Sequence, residues 1–191
     1  MAKNRKEEIL RAAVKRFGRH GLNKTTLSEI ARDVRIGKPT IYHYFNSKDE
    51  LFHSSINWEA NQYIEDIKAI FNNQDNPIGV RLLEYFAFKE SVHQRYPLLF
   101  EIILALFRND SLDMEKQVLK NILKDEEEIV GLILNSIFSE RIESMDLSLQ
   151  AFIINSSWGL LFSNIIITLA KEGNPTKQKE LMFKSLEQLL A

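Results

Sequence analysis

Residues 27–48, LSEIARDVRIGKPTIYHYFNSK, leave a folding chain few options. Ile30, Ala31, Val34 and Ile36, then Ile41 and Phe45, are apolar at spacings that let two crossing helices share one small core. Residues 33–37 between them are too few for anything but a turn, and Gly37 can adopt backbone angles that strain other residues. Thr26-Leu27-Ser28-Glu29 fits the capping-box pattern, with Thr26 as N-cap and Glu29 reaching back from the third helical position. The second helix carries Lys38, Thr40, Tyr42, His43 and Tyr44, all hydrogen-bond donors and mostly flat or basic. A helix with that outer face, braced by another, has the form of a helix-turn-helix reader of the DNA major groove.

The rest of the chain reads as helices joined by turns. Lys3, Asn4, Arg5 and Lys6 form a basic N-terminal arm, and a first helix follows with Ile9, Ala13 and Phe17 on one face and Gly21 as its stop. Ser47 and Glu50 form a second capping box, opening a long helix over 47–71. Further helices are expected over 77–96, 98–107, 113–138, 146–171 and 176–190, punctuated by Pro77, Pro97 and Pro175. No sustained strand alternation, repeat or low-complexity tract occurs in the sequence. The fold class is all-α, a three-helix helix-turn-helix head (1–47) and a body of about six helices (48–191).

Net charge is −1, which taken alone argues against a nucleic-acid binder. The distribution of charge argues the other way. Residues 1–53 hold twelve Lys and Arg against six Asp and Glu, a net of +6, and the remainder holds thirteen against twenty, a net of −7. A basic head on an acidic body is the footprint of a protein that meets phosphates at one end. The chain has no cysteine, which rules out disulfides and thiolate chemistry and fits a reducing compartment. The charged start MAKNRKEEIL has no signal-peptide pattern, and the apolar stretch 158–170 is too short to span a bilayer, so a cytoplasmic protein without membrane contact is expected.

Thr25-Thr26-Leu27, Ile30-Ala31, the run Lys38-Pro39-Thr40-Ile41-Tyr42-His43-Tyr44-Phe45 and then Lys48-Asp49-Glu50-Leu51-Phe52 resemble the DNA-binding domain of the tetracycline-repressor (TetR) family. The resemblance covers residues 6–53. It implies DNA contacts at Thr26, Lys38, Pro39, Thr40, Tyr42, His43, Tyr44 and Lys48, with hydroxyls and ammonium groups on phosphates and Lys38 and Thr40 within reach of base edges. From the residues alone, Tyr42 and Tyr44 are equally half-buried core aromatics and His43 a solvated side chain. Two positions depart from the family pattern. Arg35 stands at the usual turn glycine, where a left-handed arginine would be strained, so a remodelled turn is expected. Gly37 and Pro39 replace the usual small polar cap and small residue.

In the body, Ser156, Gly159, Ser163 and Ile167 on one helix, with Met182 and Leu186 on the last, have spacings suited to a four-helix interface in a homodimer or to packing within one subunit. The resemblance implies a cavity for a small apolar or aromatic inducer; Phe86, His93, Phe107, Asn155 and Trp158 are its candidates, with Ser157 a further polar residue in an apolar helix. The acidic run 125–128 reads as a solvated helix face. His20, His43, His53 and His93 have no ligand spacing, and no nucleophile or phosphate-loop motif is present, so neither enzyme, metal nor cofactor is expected. The implied function is a ligand-responsive repressor that binds a pseudo-palindromic operator in double-stranded DNA as a dimer. The competing reading is a DNA-binding scaffold or chromosome-organising protein that works through a protein partner without inducer.

Overall fold

A computed structural model describes residues 2–108, 113–138 and 143–170, with Lys184 alone beyond them. Eight helices run through these residues: α1 (Ala2–Lys24), α2 (Leu27–Asp33), α3 (Lys38–Tyr44), α4 (Lys48–Asn72), α5 (Ile78–Arg95), α6 (Pro97–Phe107), α7 (Asp113–Phe138) and α8 (Glu143–Ala170). The described residues contain no strand, and the all-α class stands. The helix expected over 176–190 lies outside the described residues.

The N-terminal arm is helical. Residues 3–6 belong to α1, where Arg5 pairs with Glu8 at 2.5 Å and Arg11 with Glu7 at 2.7 Å, the three- and four-residue spacings that favour helix. The helix breaks at Gly21, whose φ of 72° and ψ of 170° suit glycine. The turn between α2 and α3 is not remodelled: Arg35 itself takes the left-handed conformation, with φ 55°. Its N–H donates to Arg32 O at 3.1 Å, and that of Ile36 to Ala31 O at 2.9 Å. These bonds, with Ile30 and Ile41 fully buried on either side, hold an arginine where glycine is cheaper.

Two compact units are each drawn from separate segments: Met1–Tyr63 with Gln94–Ile122, and Ile64–His93 with Leu123–Ala191. In the first, Ile9, Ala13 and Phe17 repeat every four residues along α1 and are buried, and Phe17 meets Phe52 edge-on at 5.1 Å. Helix α6 lies against α1 at Gly18, where a Cβ would stand 3.0 Å from the Leu98 nitrogen. The start of α6 has no side-chain cap of its own; Glu59 of α4 supplies one, accepting the Leu99 N–H at 2.6 Å. Burial pushes the Glu59 carboxyl up to about 7, against the opposing pull of the Leu99 and Leu98 amides. In the second unit, Leu82, Tyr85, Phe86, Lys89 and Val92 form the buried stripe of α5, and Ile153, Ile154, Ser157, Leu160 and Leu161 are buried on α8.

Arg35→Gly should stabilise the chain by roughly 1 kcal/mol in urea unfolding, and unchanged stability would mean the turn carries no strain. Glu59 has a folded-state pKa of about 7 against an ordinary 4.5, so its contribution to stability is full at low pH and lost as pH rises through about 7. Glu59→Gln should therefore flatten the fall in melting temperature between about pH 5 and pH 8; an identical pH profile would contradict this.

Candidate functional site

Helices α2 and α3 have seven residues each, too short to stand alone, and their flanks show how they are held. Thr26 caps α2 by accepting the Glu29 N–H at 3.3 Å, while Glu29 accepts the Thr26 N–H at 2.9 Å, completing the capping box. Arg16 of α1 grips Asp33 at the end of α2 through two bonds of 2.6 and 2.8 Å and lies 3.5 Å from Glu29. The guanidinium bond holds the Asp33 carboxyl below its ordinary value, and the Thr26 hydrogen bonds do the same for Glu29. At the start of α4, Ser47 accepts the Glu50 N–H at 3.0 Å, but Glu50 reaches back to the Asn46 N–H at 2.8 Å instead of to Ser47. The cap is extended by one residue.

On α3, Ile41 is buried and Phe45 just beyond it is buried, so the opposite face is turned outward. Lys38, Pro39, Tyr42 and His43 are exposed there, Tyr42 by 47%, and Thr40 and Tyr44 are half-buried. The Lys38 ammonium lies 5.6 Å from the Tyr42 ring centre, and His43 meets Tyr44 edge-on at 5.2 Å. Thr26, the cap of α2, is exposed, its hydroxyl within 2.8 Å of Glu29 Oε2. Lys48 serves the fold as well: its Nζ donates to the carbonyls of Leu22 at 2.9 Å and Thr25 at 3.3 Å, tying the start of α4 to the end of α1. Thr25 is buried and donates its hydroxyl to Gly21 O at 2.8 Å, a structural part for a residue that the family pattern contains.

The second unit holds a polar cluster of which the sequence pattern pointed only to Trp158 and Ser157. Glu126 of α7 is fully buried, with Lys89 Nζ 2.5 Å from its Oε1 and Trp158 Nε1 donating to its Oε2 at 3.1 Å. The Tyr85 hydroxyl donates to the same Oε1 and lies 2.9 Å from Ser157 Oγ. Burial lowers the Lys89 ammonium from its ordinary value while Glu126 pulls the other way; burial and Glu126 together raise the Tyr85 phenol. The solvated-face reading of 125–128 is thus corrected at one position: Asp125, Glu127 and Glu128 are exposed, Glu126 is not.

Of the four ligand candidates whose side chains are described, Phe86 and Trp158 lie near one another around Tyr85 and Glu126, and His93 and Asn155 are on the surface. Phe86 is buried with its ring 5.6 Å from that of Tyr85, and half-buried Trp158 belongs to the cluster. His93 is exposed, its Nδ1 2.9 Å from Glu90 O, and Asn155 is exposed. The side chain of Phe107 lies outside the described residues. On α8, Gly159 is exposed, with open space where a Cβ would be, and Ser156 is half-buried. The side chains of Ser163 and Ile167, and Met182 and Leu186 altogether, lie outside the described residues. Two surface grooves sit on the head, of about 460 Å³ beside Arg11, Lys15 and Arg35 and about 380 Å³ beside Arg19 and His20. No group of three or more potential metal ligands occurs among the described residues, and none of the described helices is long and apolar enough to cross a membrane.

Two short crossed helices, braced by a third and by the start of a fourth, make the head a helix-turn-helix module. Residues 9–54 match the family model "Bacterial regulatory proteins, tetR family". The chain is similar to the Staphylococcus epidermidis biofilm operon icaADBC HTH-type negative transcriptional regulator IcaR, 29% identical over 97 residues, 50% of this chain and 51% of that protein. The aligned stretch thus spans about half the length of this relative. Among solved structures, Bacillus subtilis FadR in complex with stearoyl-CoA superposes with a TM-score of 0.64 at 17% identity, over 93% of this chain and 95% of that one. A TetR/AcrR-family regulator from Thermobifida fusca gives 0.62 at 20% identity, over 95% of each chain. Residues 9–54 thus carry the helix-turn-helix domain that this family model describes, and the described chain shares its fold with these regulators.

Because Lys48 clamps α1 to α4, Lys48→Met should lower stability by about 1 kcal/mol in the absence of any DNA. Wild-type stability in urea unfolding would show that the two carbonyls are as well served by water.

Proposed function

We propose that the chain is a ligand-responsive repressor that binds a pseudo-palindromic operator as a homodimer in the cytoplasm, with residues 1–47 meeting DNA and 48–191 serving ligand binding and dimerisation. The observation that carries the reading is the outer face of α3, where Lys38, Pro39, Tyr42 and His43 stand exposed over buried Ile41 inside the segment matched by the family model. Helix α3 lies in the major groove, Lys38 and Thr40 reach base edges, and Tyr42, His43, Tyr44 and Thr26 hold phosphates. Lys48 has three donors, two of them on the carbonyls of Leu22 in α1 and Thr25 just beyond it, and offers the third to a phosphate oxygen. Two heads in a dimer match two half-sites about 34 Å apart on one face of the duplex.

The exposed strip of α8, with Phe152, Asn155 and Gly159, supports the dimer, because a helix with no side chain at Gly159 admits a close neighbour. The naming of IcaR as a negative regulator supports repression, and the stearoyl-CoA complex of FadR supports a body that takes ligands. An inducer acts by binding more tightly to a conformation that DNA does not favour, and only that difference in affinity shifts the population. Helix α4 carries residues of both compact units and is one continuous element through which such a change is transmitted.

Tyr42→Ala should weaken operator binding by about 1–3 kcal/mol in a fluorescence anisotropy titration while the dimer stays folded; unchanged affinity would remove Tyr42 from the contacts. Gly159→Leu should shift the chain from dimer to monomer in light scattering, and an intact dimer would place the interface elsewhere.

A further inference from the structure

The cluster around Glu126 has the anatomy of a receptor for a carboxylate. Three donors meet its two oxygens: the Lys89 ammonium and Tyr85 hydroxyl on Oε1, the Trp158 indole on Oε2. Tyr85 and Lys89 stand one turn apart on α5, Ser157 and Trp158 are neighbours on α8, and the carboxylate they surround comes from a third helix, α7. Ser157 Oγ, 2.9 Å from the Tyr85 hydroxyl, donates its proton to the phenol oxygen, whose own proton goes to Glu126, and so fixes the phenol in place. The ammonium has support of its own, with the Trp158 ring centre at 4.2 Å and that of Tyr85 at 5.4 Å. It therefore does not depend on Glu126 alone to remain where it is.

We propose that α5 and α8 form a binding site for an organic acid, occupied in this structure by the chain's own Glu126, which the carboxylate of the ligand displaces. The proposal rests on the ligand-responsive reading above and names the chemical class of the ligand. An entering carboxylate takes over the same three hydrogen bonds, so no buried donor is left unpaired. On the same turn of α7, Asp125, Glu127 and Glu128 are exposed, so a small rotation of the helix carries Glu126 toward solvent. Its departure frees α7 from α5 and α8 at this point, which gives ligand binding a structural consequence. The surrounding rings define the rest of the ligand. Phe71 and Phe86 flank Tyr85 at 5.2 and 5.6 Å, and Phe162 stacks on Trp158 at 6.4 Å, so the acid carries an apolar or aromatic body. An amine fits less well, because it would have to expel Lys89, whose side chain is fully buried, and would face two N–H and O–H donors aimed at an anion. Stability alone gives little reason to keep such a pair: apolar side chains of similar volume often replace a buried ion pair without loss.

The test uses the full chain and a panel of hexanoate, decanoate and benzoate, with hexylamine and hexanol as controls for charge and for the apolar body. Binding is followed by calorimetry and by the indole N–H resonance of Trp158, assigned with Trp158→Phe. At least one acid should bind the wild type and shift that resonance, and Glu126→Gln, whose occupant is uncharged, should bind it about tenfold more tightly. The double variant Lys89→Met, Glu126→Leu should stay folded by circular dichroism and lose at least about tenfold in affinity. No acid bound by wild type or Glu126→Gln, acid affinity equal in all three proteins, or binding of hexylamine in preference to the acids would each overturn the proposal. Acids that bind with the expected pattern but leave operator affinity unchanged would support the site and overturn the ligand-responsive reading. Release of operator by hexylamine, with no acid bound, would do the reverse.

Discussion

A helix of seven residues has no stability of its own in water, and the head contains two of them in succession. Everything around α2 and α3 answers that constraint. Phe17 and Phe52 provide the apolar floor, Arg16 holds the end of α2 through Asp33, and the Thr26–Glu29 box holds its beginning. Lys48 ties α4 back to α1, so the two long helices that bracket the short pair are fixed to one another. With the inner residues Ile30, Ile41 and Phe45 buried, the exposed side chains of α3, Lys38, Tyr42 and His43, can be chosen for what they bind.

The first compact unit extends beyond those helices. Helix α6 joins it through two devices: the bare Cα of Gly18, which lets the backbone of Pro97 and Leu98 approach, and the Glu59 carboxylate, which caps α6 from α4. Neither is an apolar contact of the ordinary kind, and each hangs on one residue. Helices α4, α5 and α7 supply residues to both units.

The helical architecture and the face of α3 were legible because both are written in local code: apolar spacing, Pro and Gly breaks, and two caps that satisfy neighbouring N–H groups. The Ser47 cap extends one residue further than its pattern implies, because Asn46, before the helix, offers its own N–H to Glu50. Arg35 defied expectation because tertiary burial on both sides of the turn outweighs a local backbone preference. Long-range partnerships left weaker traces. Glu126 lies at a four-residue interval from buried Ile122 and Val130, the signal that separates it from its three solvated neighbours, and Lys89 follows Tyr85 and Phe86 on the apolar stripe of α5. Read as stripe positions instead of as charges, both announce a buried pair. His93 and Asn155 are polar residues in apolar helices, and the face each occupies is the exposed one.

The proposed function turns on α3 meeting duplex DNA as one half of a symmetric reader. The most direct check is hydroxyl-radical footprinting of the purified protein on a genomic fragment that it selects at physiological salt. Two protected half-sites, centred about one helical turn or a whole number of turns apart on the same face of the duplex, are the predicted result. Protection of a single half-site, or diffuse protection at many unrelated sequences, would contradict the symmetric operator and favour a DNA-organising protein that acts through other partners.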